Sequence, residues 1–523
     1  MKRREFLSSA IGLTGSLAPM LAFGSTVPCP PGVLSVNRGN PARTSCSSSN
    51  ADPIDGVPQW VNQLPVNSGW QPVAGGPEWP GLLPWQRGDR IEDVKATPID
   101  IKGFRAGIQD VIKPWCGGAY NPDRKELLLV ANGGGGGYAG NETYTLEFNR
   151  DVPGWRRLVD RTPDEFMDVE DNSWSNWSST TSPGYLTVAT HRDGPSGRPG
   201  DGRPKAMHTF GQVAYANGRV WNTGQPAATP NLNAQGLFSL DREWVAQQPG
   251  DFAHWTPGNI MPFRLHGTAQ IVTGAPPGKS FGCCAHDPVT NRLWNYADDT
   301  IWAVSTTTGG IAVHDYKFTS QIGSGQTRGG WAVYVPSPDG DVTKRVILVG
   351  LVRRIGQQIL VHNLHSNTFS IAAATPAFLW DEDSYWSNWE APGVENGGHG
   401  MVPGNSDFTT YLKTNNPYLQ NEFSYGMGAV YSAADDRVYL GIVPARLGGT
   451  KGGQVRVLNP RTMTLTELPN PAMRPIPLAG ARPGIKRLQW GNLQRFGMVE
   501  FGTARVLFHA ADSLGPTHVW RIA

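Results

Sequence analysis

The sequence is poor in charge, in cysteine and in long apolar runs, and each shortage excludes a class of protein. Charged residues make up only 17% of the chain and the net charge is +2, so no strong field attracts nucleic acid or an anionic membrane. No run approaches the ~20 apolar residues that a membrane-spanning helix needs. Neither a Cys-x-x-Cys nor a His-x-x-x-His pair occurs, so the common zinc spacings are absent. We therefore expect no nucleic-acid partner and no membrane span.

Turn-forming residues and tryptophan, by contrast, are abundant. The counts of Gly 64, Pro 43 and Trp 19 are typical of a turn-dense all-β chain. Residues 117–159 contain the clearest structural unit: a turn, an apolar strand at 127–130, a glycine-rich connection, an alternating strand at 143–148 and a last strand at 156–159. This spacing predicts a four-stranded antiparallel sheet.

The same unit can be placed repeatedly over roughly 400 residues, at the period of about 50 residues that is typical of propeller blades. Further innermost strands are predicted at Phe210–Tyr215, Phe281–Ala285, Gly330–Tyr334, Tyr425–Tyr431 and Phe496–Val499. We therefore expect six blades, with seven as the alternative if a long insertion contains another. The final blade is short by one strand, which Trp60–Leu64 or Trp70–Val73 could supply. Such closure would remove an exposed sheet edge.

The unit at 117–159 resembles the kelch repeat. It has paired glycines before a strand, the segment Tyr-x-Gly-Asn-x-x-Tyr at 138–144, and Trp155 farther on. Kelch repeats build the propellers of kelch proteins and of the galactose-oxidase-like superfamily. The resemblance implies an all-β fold, a single closed kelch-type β-propeller of four-stranded antiparallel blades over residues 58–523. It implies little about function, because propellers include enzymes, binding modules and scaffolds.

The N-terminus is predicted to be an export signal. The twin arginine Arg3-Arg4, followed by Phe6-Leu7 and a weakly apolar stretch, resembles the Tat signals of bacteria. Small residues at positions 22 and 24 suit cleavage before Ser25. We expect a signal at 1–24, an irregular leader at 25–57, the Tat export machinery as a partner, and a periplasmic or secreted protein. An ordinary secretory signal is the alternative.

The five cysteines fit an exported protein. A disulfide between Cys29 and Cys46 would fasten a leader that has no core of its own. Cys116 is predicted to be a buried thiol. For Cys283 and Cys284, strand alternation would bury one thiol and place the other at the opposite face. The alternative is a vicinal disulfide, which some quinone-dependent propeller enzymes carry beneath the cofactor.

Two segments share the pattern Glu-Asp-x-x-Trp-Ser-Asn-Trp, at 170–177 and 382–389. The two segments are 212 residues apart, and a similar offset of 215 residues separates Thr209–Gly211 from Ser424–Gly426 in the strands that follow. This offset corresponds to three blades. Because three blades are half of a six-bladed ring, we predict that the two segments face each other across the propeller axis. Their candidate site residues are Glu170, Asp171, Trp174 and Trp177 in the first segment and Glu382, Asp383, Trp386 and Trp389 in the second.

The chemistry of these segments suits a sugar. Carboxylates on opposite sides of a cleft can divide the acid and base roles of glycoside hydrolysis, and indole faces stack on sugar rings. We therefore assign the four carboxylates to catalysis and the four tryptophans to ligand contact. Calcium held by the carboxylates and by backbone carbonyls is one alternative. In another, the tryptophans fill the gaps between blades and the acids cap loops.

Three further residues are candidates because of their positions. His208 directly precedes an innermost strand, where side chains reach the axial funnel, and an imidazole suits proton transfer near neutral pH. His399 lies in the glycine-rich segment Asn396–Gly400 and is assigned to ligand binding. Arg328 would pair with a carboxylate of the ligand. A structural role is the alternative for each.

These residues favour an exported propeller that binds a carbohydrate-like ligand in its axial funnel. Binding alone and cleavage of the ligand are both compatible with them. A copper- or quinone-dependent oxidoreductase and a non-catalytic scaffold are the alternatives from other classes. The galactose-oxidase-like resemblance implies copper chemistry that uses a tyrosine next to a histidine ligand, and the sequence lacks a Tyr-His dipeptide, so copper is not expected. Quinone is not expected either, because strand alternation accounts for Cys283 and Cys284 without a vicinal disulfide. The expected partner is a small-molecule or glycan ligand.

Overall fold

The computed structural model arranges the chain as six β-sheets around a common axis. It describes residues 56–74, 117–130, 142–150, 153–159, 209, 211–223, 237–248, 263–265, 271–273, 282–297, 300–309, 311–314, 328–353, 356–372, 428–441, 455–468, 495–510 and 517–523. Short helices are rare within these ranges. None of the helices found there is long and apolar enough to cross a membrane.

Strands are numbered in chain order. Blade 1 contains β2 (Ala119–Asn121), β3 (Glu126–Val130), β4 (Thr143–Glu147) and β5 (Gly154–Val159), and blade 2 contains β6 (Val213–Ala216), β7 (Arg219–Asn222), β8 (Phe238–Asp241) and β9 (Phe263–Leu265). Blade 3 contains β10 (Ile271–Thr273), β11 (Cys283–Asp287), β12 (Arg292–Ala297), β13 (Thr300–Ser305) and β14 (Ile311–His314).

The second half of the ring follows the same plan. Blade 4 contains β15 (Arg328–Val335), β16 (Val346–Arg353), β17 (Gly356–Asn363) and β18 (Thr368–Ile371), and blade 5 contains β19 (Gly428–Ser432), β20 (Arg437–Gly441), β21 (Val455–Leu458) and β22 (Leu465–Glu467). Blade 6 contains β23 (Phe496–Phe501), β24 (Ala504–His509), β25 (Thr517–Arg521) and β1 (Gln71–Ala74).

The first strands of successive blades line the axis. Contacts join β2 to β6, β6 to β11, β11 to β15, β15 to β19 and β19 to β23, and a parallel bridge between Gly211 and Cys283 links blades 2 and 3. This confirms the predicted all-β propeller of antiparallel blades with six blades rather than seven. Blade 3 carries one addition, because β10 pairs in parallel with its outermost strand β14.

The N-terminal segment closes the ring, as predicted from Trp70–Val73. Strand β1 pairs antiparallel with β25 and completes blade 6. Just before it, helix α1 (Gln59–Gln63) lies between the last and first blades. Trp60 Nε1 donates a hydrogen bond to the Phe148 carbonyl of blade 1 at 3.1 Å, and the Trp60 ring packs edge-on against Phe501 of blade 6. The chain is thus fastened where its two ends meet, which protects the edge of the last sheet.

Two predicted turns after innermost strands adopt the same geometry. Asn121 and Asp287 each precede a proline, and their side-chain oxygens accept from the backbone N–H two residues on, at 3.0 and 3.1 Å. Lys125 and Asn291 then take left-handed conformations, with φ of 52° and 51°. Asn and Asp favour such turns because their side chains replace a missing backbone partner.

Alternation along the strands fills the gaps between blades with apolar side chains. Cys283 packs with Ala285 and Trp294 toward blade 4, whereas Cys284 packs with Trp221 and Leu293 toward blade 2. Both cysteines are buried thiols, and burial raises the pKa of Cys283 well above its ordinary value. The adjacent pair thus obeys strand alternation and does not form a vicinal disulfide.

The two faces of the propeller carry different connections. We call the lower face the one with the turns at 122–125, 217–218, 288–291, 336–345, 433–436 and 502–503. Because the strands are antiparallel, the connections between blades, and those between the second and third strands, attach to the opposite upper face. The longest of these are 160–212, from β5 to β6, and 372–427, from β18 to β19.

Candidate functional site

Ten of the predicted site residues lie in two connections between blades. Glu170, Asp171, Trp174, Trp177 and His208 belong to the connection into β6, while Glu382, Asp383, Trp386, Trp389 and His399 belong to the connection into β19. These ten residues lie outside the described residues, so their roles stay predictions. Strands β6 and β19 begin blades 2 and 5, which are three blades apart. The strands that the two connections enter are therefore half a ring apart, whereas the expected facing of the two segments stays a prediction.

Arg328 is the one predicted site residue whose backbone the structure describes. It is the first residue of β15, pairs with Val352, and stands at the upper end of the innermost strand of blade 4. Its backbone is thus at the mouth of the axis. The contacts of its side chain lie outside the described residues, so a role in ligand binding stays a prediction.

The segment that follows His208 is anchored between blades 1 and 2. Thr209 is fully buried, and its Oγ1 accepts from the Gly117 N–H at 2.7 Å. Its carbonyl also accepts from the Gln212 N–H at 3.1 Å. These bonds hold the chain at the upper end of β6, one residue from the predicted histidine.

Polar side chains are buried at the upper end of the gap between blades 2 and 3. We call this group, formed by Gln212, Thr223 and Asn295, the upper crevice. All three side chains are buried, and the Thr223 hydroxyl contacts both the Gln212 carbonyl, at 3.0 Å, and Asn295 Oδ1. No sequence motif marks these residues. The one signal that the sequence offers is Gln212, a polar residue at a position where strand alternation predicts a buried side chain.

A second polar cluster lies at the upper end of blade 6. Arg495, His509 and His518 are all buried, and the Trp70 ring lies 6.0 Å from the His509 ring. Burial, together with His518 and Arg495, lowers the pKa of His509 to about 3. His509 is therefore neutral at physiological pH. Sequence analysis missed this cluster, because its members come from three separate segments of the chain.

At three junctions of the lower face, an ion pair joins one blade to the next. Arg242, the first residue of helix α2 (Arg242–Ala246), donates Nε and Nη2 to both oxygens of Glu126 at 2.8 and 3.1 Å. Asn121 and Thr145 donate to the same carboxylate at 3.0 Å. Both partners are buried, so the pair joins blades 1 and 2 without solvent. This full set of partners indicates a structural role.

Ion pairs also join the blades at two other junctions of the lower face. Arg345 donates to Asp287 between blades 3 and 4, at 3.2 Å, and Arg505 pairs with Asp435 between blades 5 and 6, at 2.7 Å. Asn217 donates a hydrogen bond to Asn291 between blades 2 and 3, and Arg461 donates one to the Pro336 carbonyl between blades 4 and 5. Between blades 6 and 1, the Lys125 ammonium lies over the Phe501 ring. Within the described ranges, no group of three or more metal-binding side chains occurs.

Comparisons with known proteins assign no family to the chain. No protein-family model matches the chain, and neither does any curated protein. Among solved structures, it is similar to an auxiliary nutrient binding protein from Bacteroides ovatus, at 11% identity over 90% of this chain and 76% of that chain, with a TM-score of 0.34.

Two other solved structures are similar to a comparable degree. One is the extracellular domain of a protein described as a one-component system of B. thetaiotaomicron, at 8% identity over 78% of this chain, with a TM-score of 0.31; the match spans only 33% of that chain. The other is Saccharomyces cerevisiae Sqt1, at 10% identity over 78% of this chain and 83% of that one, with a TM-score of 0.31. With identities and TM-scores this low, none of these likenesses carries an argument about function.

Proposed function

We propose that the protein is an exported, kelch-type propeller whose upper face binds a carbohydrate-like ligand at the mouth of the axial funnel. The observation that carries this proposal is the separation of the two faces. The duplicated acid–tryptophan segments precede strands β6 and β19 in sequence, and these strands begin at the upper face three blades apart. At the lower face, by contrast, three ion pairs join neighbouring blades.

The residues of the two segments supply what sugar recognition requires. Glu170 and Glu382 would accept hydrogen bonds from hydroxyl groups, while Trp174 and Trp386 would stack on the apolar faces of pyranose rings. If the ligand is cleaved, carboxylates on opposite sides of the bond divide the acid and base roles. His208 would then hold or move a proton from the entrance of β6.

Export through the Tat machinery is part of the same proposal. A Tat substrate crosses the membrane already folded, which suits a ring that closes only when strand β1 reaches blade 6. Replacing Arg3 and Arg4 by lysine should keep the protein inside the cell, as judged by fractionation. Unchanged export would instead indicate the general secretory route.

The decisive experiment is glycan-array binding by natively exported protein, with the double variant Glu170→Gln/Glu382→Gln. We expect binding to a small set of glycans by the parent chain and loss of that binding in the variant. The matched control is Glu467→Gln, an exposed carboxylate on the outermost strand of blade 5, which should bind normally.

Metal analysis and an absorption spectrum of the same sample test the rival functions. Stoichiometric copper or a quinone spectrum would replace the proposal by an oxidoreductase. If no cofactor is found and no glycan binds, the protein is a scaffold, and the carbohydrate proposal is wrong.

A further inference from the structure

Gln212 has a fully buried side chain whose polar atoms make no hydrogen bond within the part of the chain that the structure describes. Its exposed fraction is 0%, and both Nε2 and Oε1 are without a partner there. A primary amide offers two donors and one acceptor oxygen, and burying it unpaired costs the free energy of its lost hydration. Native proteins rarely leave such a group without a ligand or an ordered water.

The direction of the Gln212 side chain follows from strand alternation. Val213 packs with the core between blades 1 and 2, and Ala214 packs with the core between blades 2 and 3. Gln212 precedes Val213, so its side chain shares the side of Ala214. It therefore lies in the upper crevice with Thr223 and Asn295, at the upper end of an apolar gap.

The neighbours of Gln212 use their hydrogen-bonding groups elsewhere. Asn295 Nδ2 donates to the Leu293 carbonyl at 3.1 Å, and Asn295 Oδ1 receives the Thr223 hydroxyl. The Gln212 carbonyl accepts from the Thr223 N–H at 2.9 Å. The backbone around Gln212 is thus fixed, while its buried amide makes no hydrogen bond with the described residues.

The chemistry of the upper crevice selects against charged ligands. Its three side chains are an amide, a hydroxyl and a second amide, and the buried thiol of Cys284 lies in the same gap. A carboxylate or an ammonium group placed there would lose its hydration without gaining an opposite charge. A hydroxyl or a neutral amide, by contrast, can donate to Oε1 and accept from Nε2.

We propose that the upper crevice is a binding subsite for an uncharged, hydroxyl- or amide-bearing group, and that Gln212 is the residue that recognises it. The subsite rests on the proposed function in one respect, that ligands bind at the upper face. It goes beyond that function by naming a specificity residue outside the duplicated segments. Gln212 also lies close in sequence to His208, so one ligand could reach both.

The test compares the parent chain with Gln212→Met, which keeps the length of the side chain and removes the amide. The probes are glucose, galactose and N-acetylglucosamine, with glucuronate and glucosamine as charged counterparts and glycerol and N-methylacetamide as neutral non-sugars. Affinities are measured by ligand-observed NMR. We expect a neutral probe to bind at least tenfold more weakly to the variant, whose melting temperature should be unchanged or higher. Gln248→Leu, at the lower face, is the matched control and should bind as the parent does.

The outcomes separate this inference from the proposed function. Equal binding of a sugar by the parent and by Gln212→Met would overturn the subsite and leave carbohydrate binding intact. Gln212-dependent binding of glycerol or N-methylacetamide without any sugar would support the subsite and overturn the carbohydrate proposal. Tighter binding of glucuronate or glucosamine than of glucose would overturn the uncharged class. If no probe binds the parent chain, both are wrong. Should Gln212→Met fail to fold, Gln212→Asn, which keeps an amide but shortens its reach, must give the same tenfold loss.

Discussion

The two faces of this propeller are built for different purposes. On the lower face, side chains bridge each blade to the next by an ion pair, a hydrogen bond or a cation–ring contact. On the upper face, long connections attach, and the buried polar groups there include an amide without a partner among the described residues. Under the proposed function, stability and recognition fall at opposite ends of the same strands.

The difference between the two faces shows how buried polar groups in this propeller can be interpreted. Glu126 is buried and charged, which resembles an active-site carboxylate, yet four donor groups satisfy it. Gln212 is buried and uncharged, which resembles an ordinary core position, yet its amide makes no bond among the described residues. Satisfaction of hydrogen bonds, rather than charge, distinguishes a structural group from a candidate binding group.

The largest effect is expected from breaking the lower-face pair of blades 1 and 2. Arg242→Met leaves the carboxylate of Glu126 buried without its counter-charge, so the free energy of unfolding should fall by about 3–5 kcal/mol. Urea denaturation measures the change. Ligand binding at the upper face should persist at temperatures where the variant is folded.

Two variants sharpen that test. Adding Glu126→Gln to Arg242→Met removes the stranded charge and should recover a large part of the loss. Arg505→Met breaks an equivalent pair whose side chains are 18% and 30% exposed, so its cost should be only about 1 kcal/mol. Equal costs for Arg242→Met and Arg505→Met would mean that burial does not set the strength of these bridges.

Much of this architecture could be predicted from the sequence, since it depends on local patterns. The turns after Asn121 and Asp287 and the innermost strands were visible as turn residues followed by apolar runs, and closure followed from one missing strand. The Glu126–Arg242 pair was not visible, because its partners come from different blades and meet only in the closed ring. Gln212 was missed for a similar reason: only the surrounding contacts show that its amide lacks a partner among the described residues.

A smaller, pH-dependent effect is expected at the upper end of blade 6. The pKa of His509 falls from 6.5 in its ordinary state to about 3 in the folded protein, so the unfolded chain binds a proton that the folded chain does not. Stability from this group is complete above pH 6.5 and is lost as the pH falls toward 3. In this window, the slope of the unfolding free energy against pH should correspond to the uptake of about one proton on unfolding. His509→Gln should remove that slope, and an unchanged slope would assign the acid sensitivity to other groups.

The smallest effect on stability is expected where the effect on binding should be largest, in the duplicated segments of the upper face. If Trp174 and Trp386 are stacking platforms, replacing each by alanine should change the free energy of unfolding by less than about 0.5 kcal/mol, as for other exposed positions. Glycan binding should nevertheless be lost, because the flat apolar surface for the sugar is gone. Urea denaturation and the glycan array, applied to the same preparations, measure both quantities. If the indoles instead fill gaps between blades, each variant should lose about 3–5 kcal/mol and bind normally while folded. That result would extend the structural role of the lower face to the upper one and remove the contrast between them.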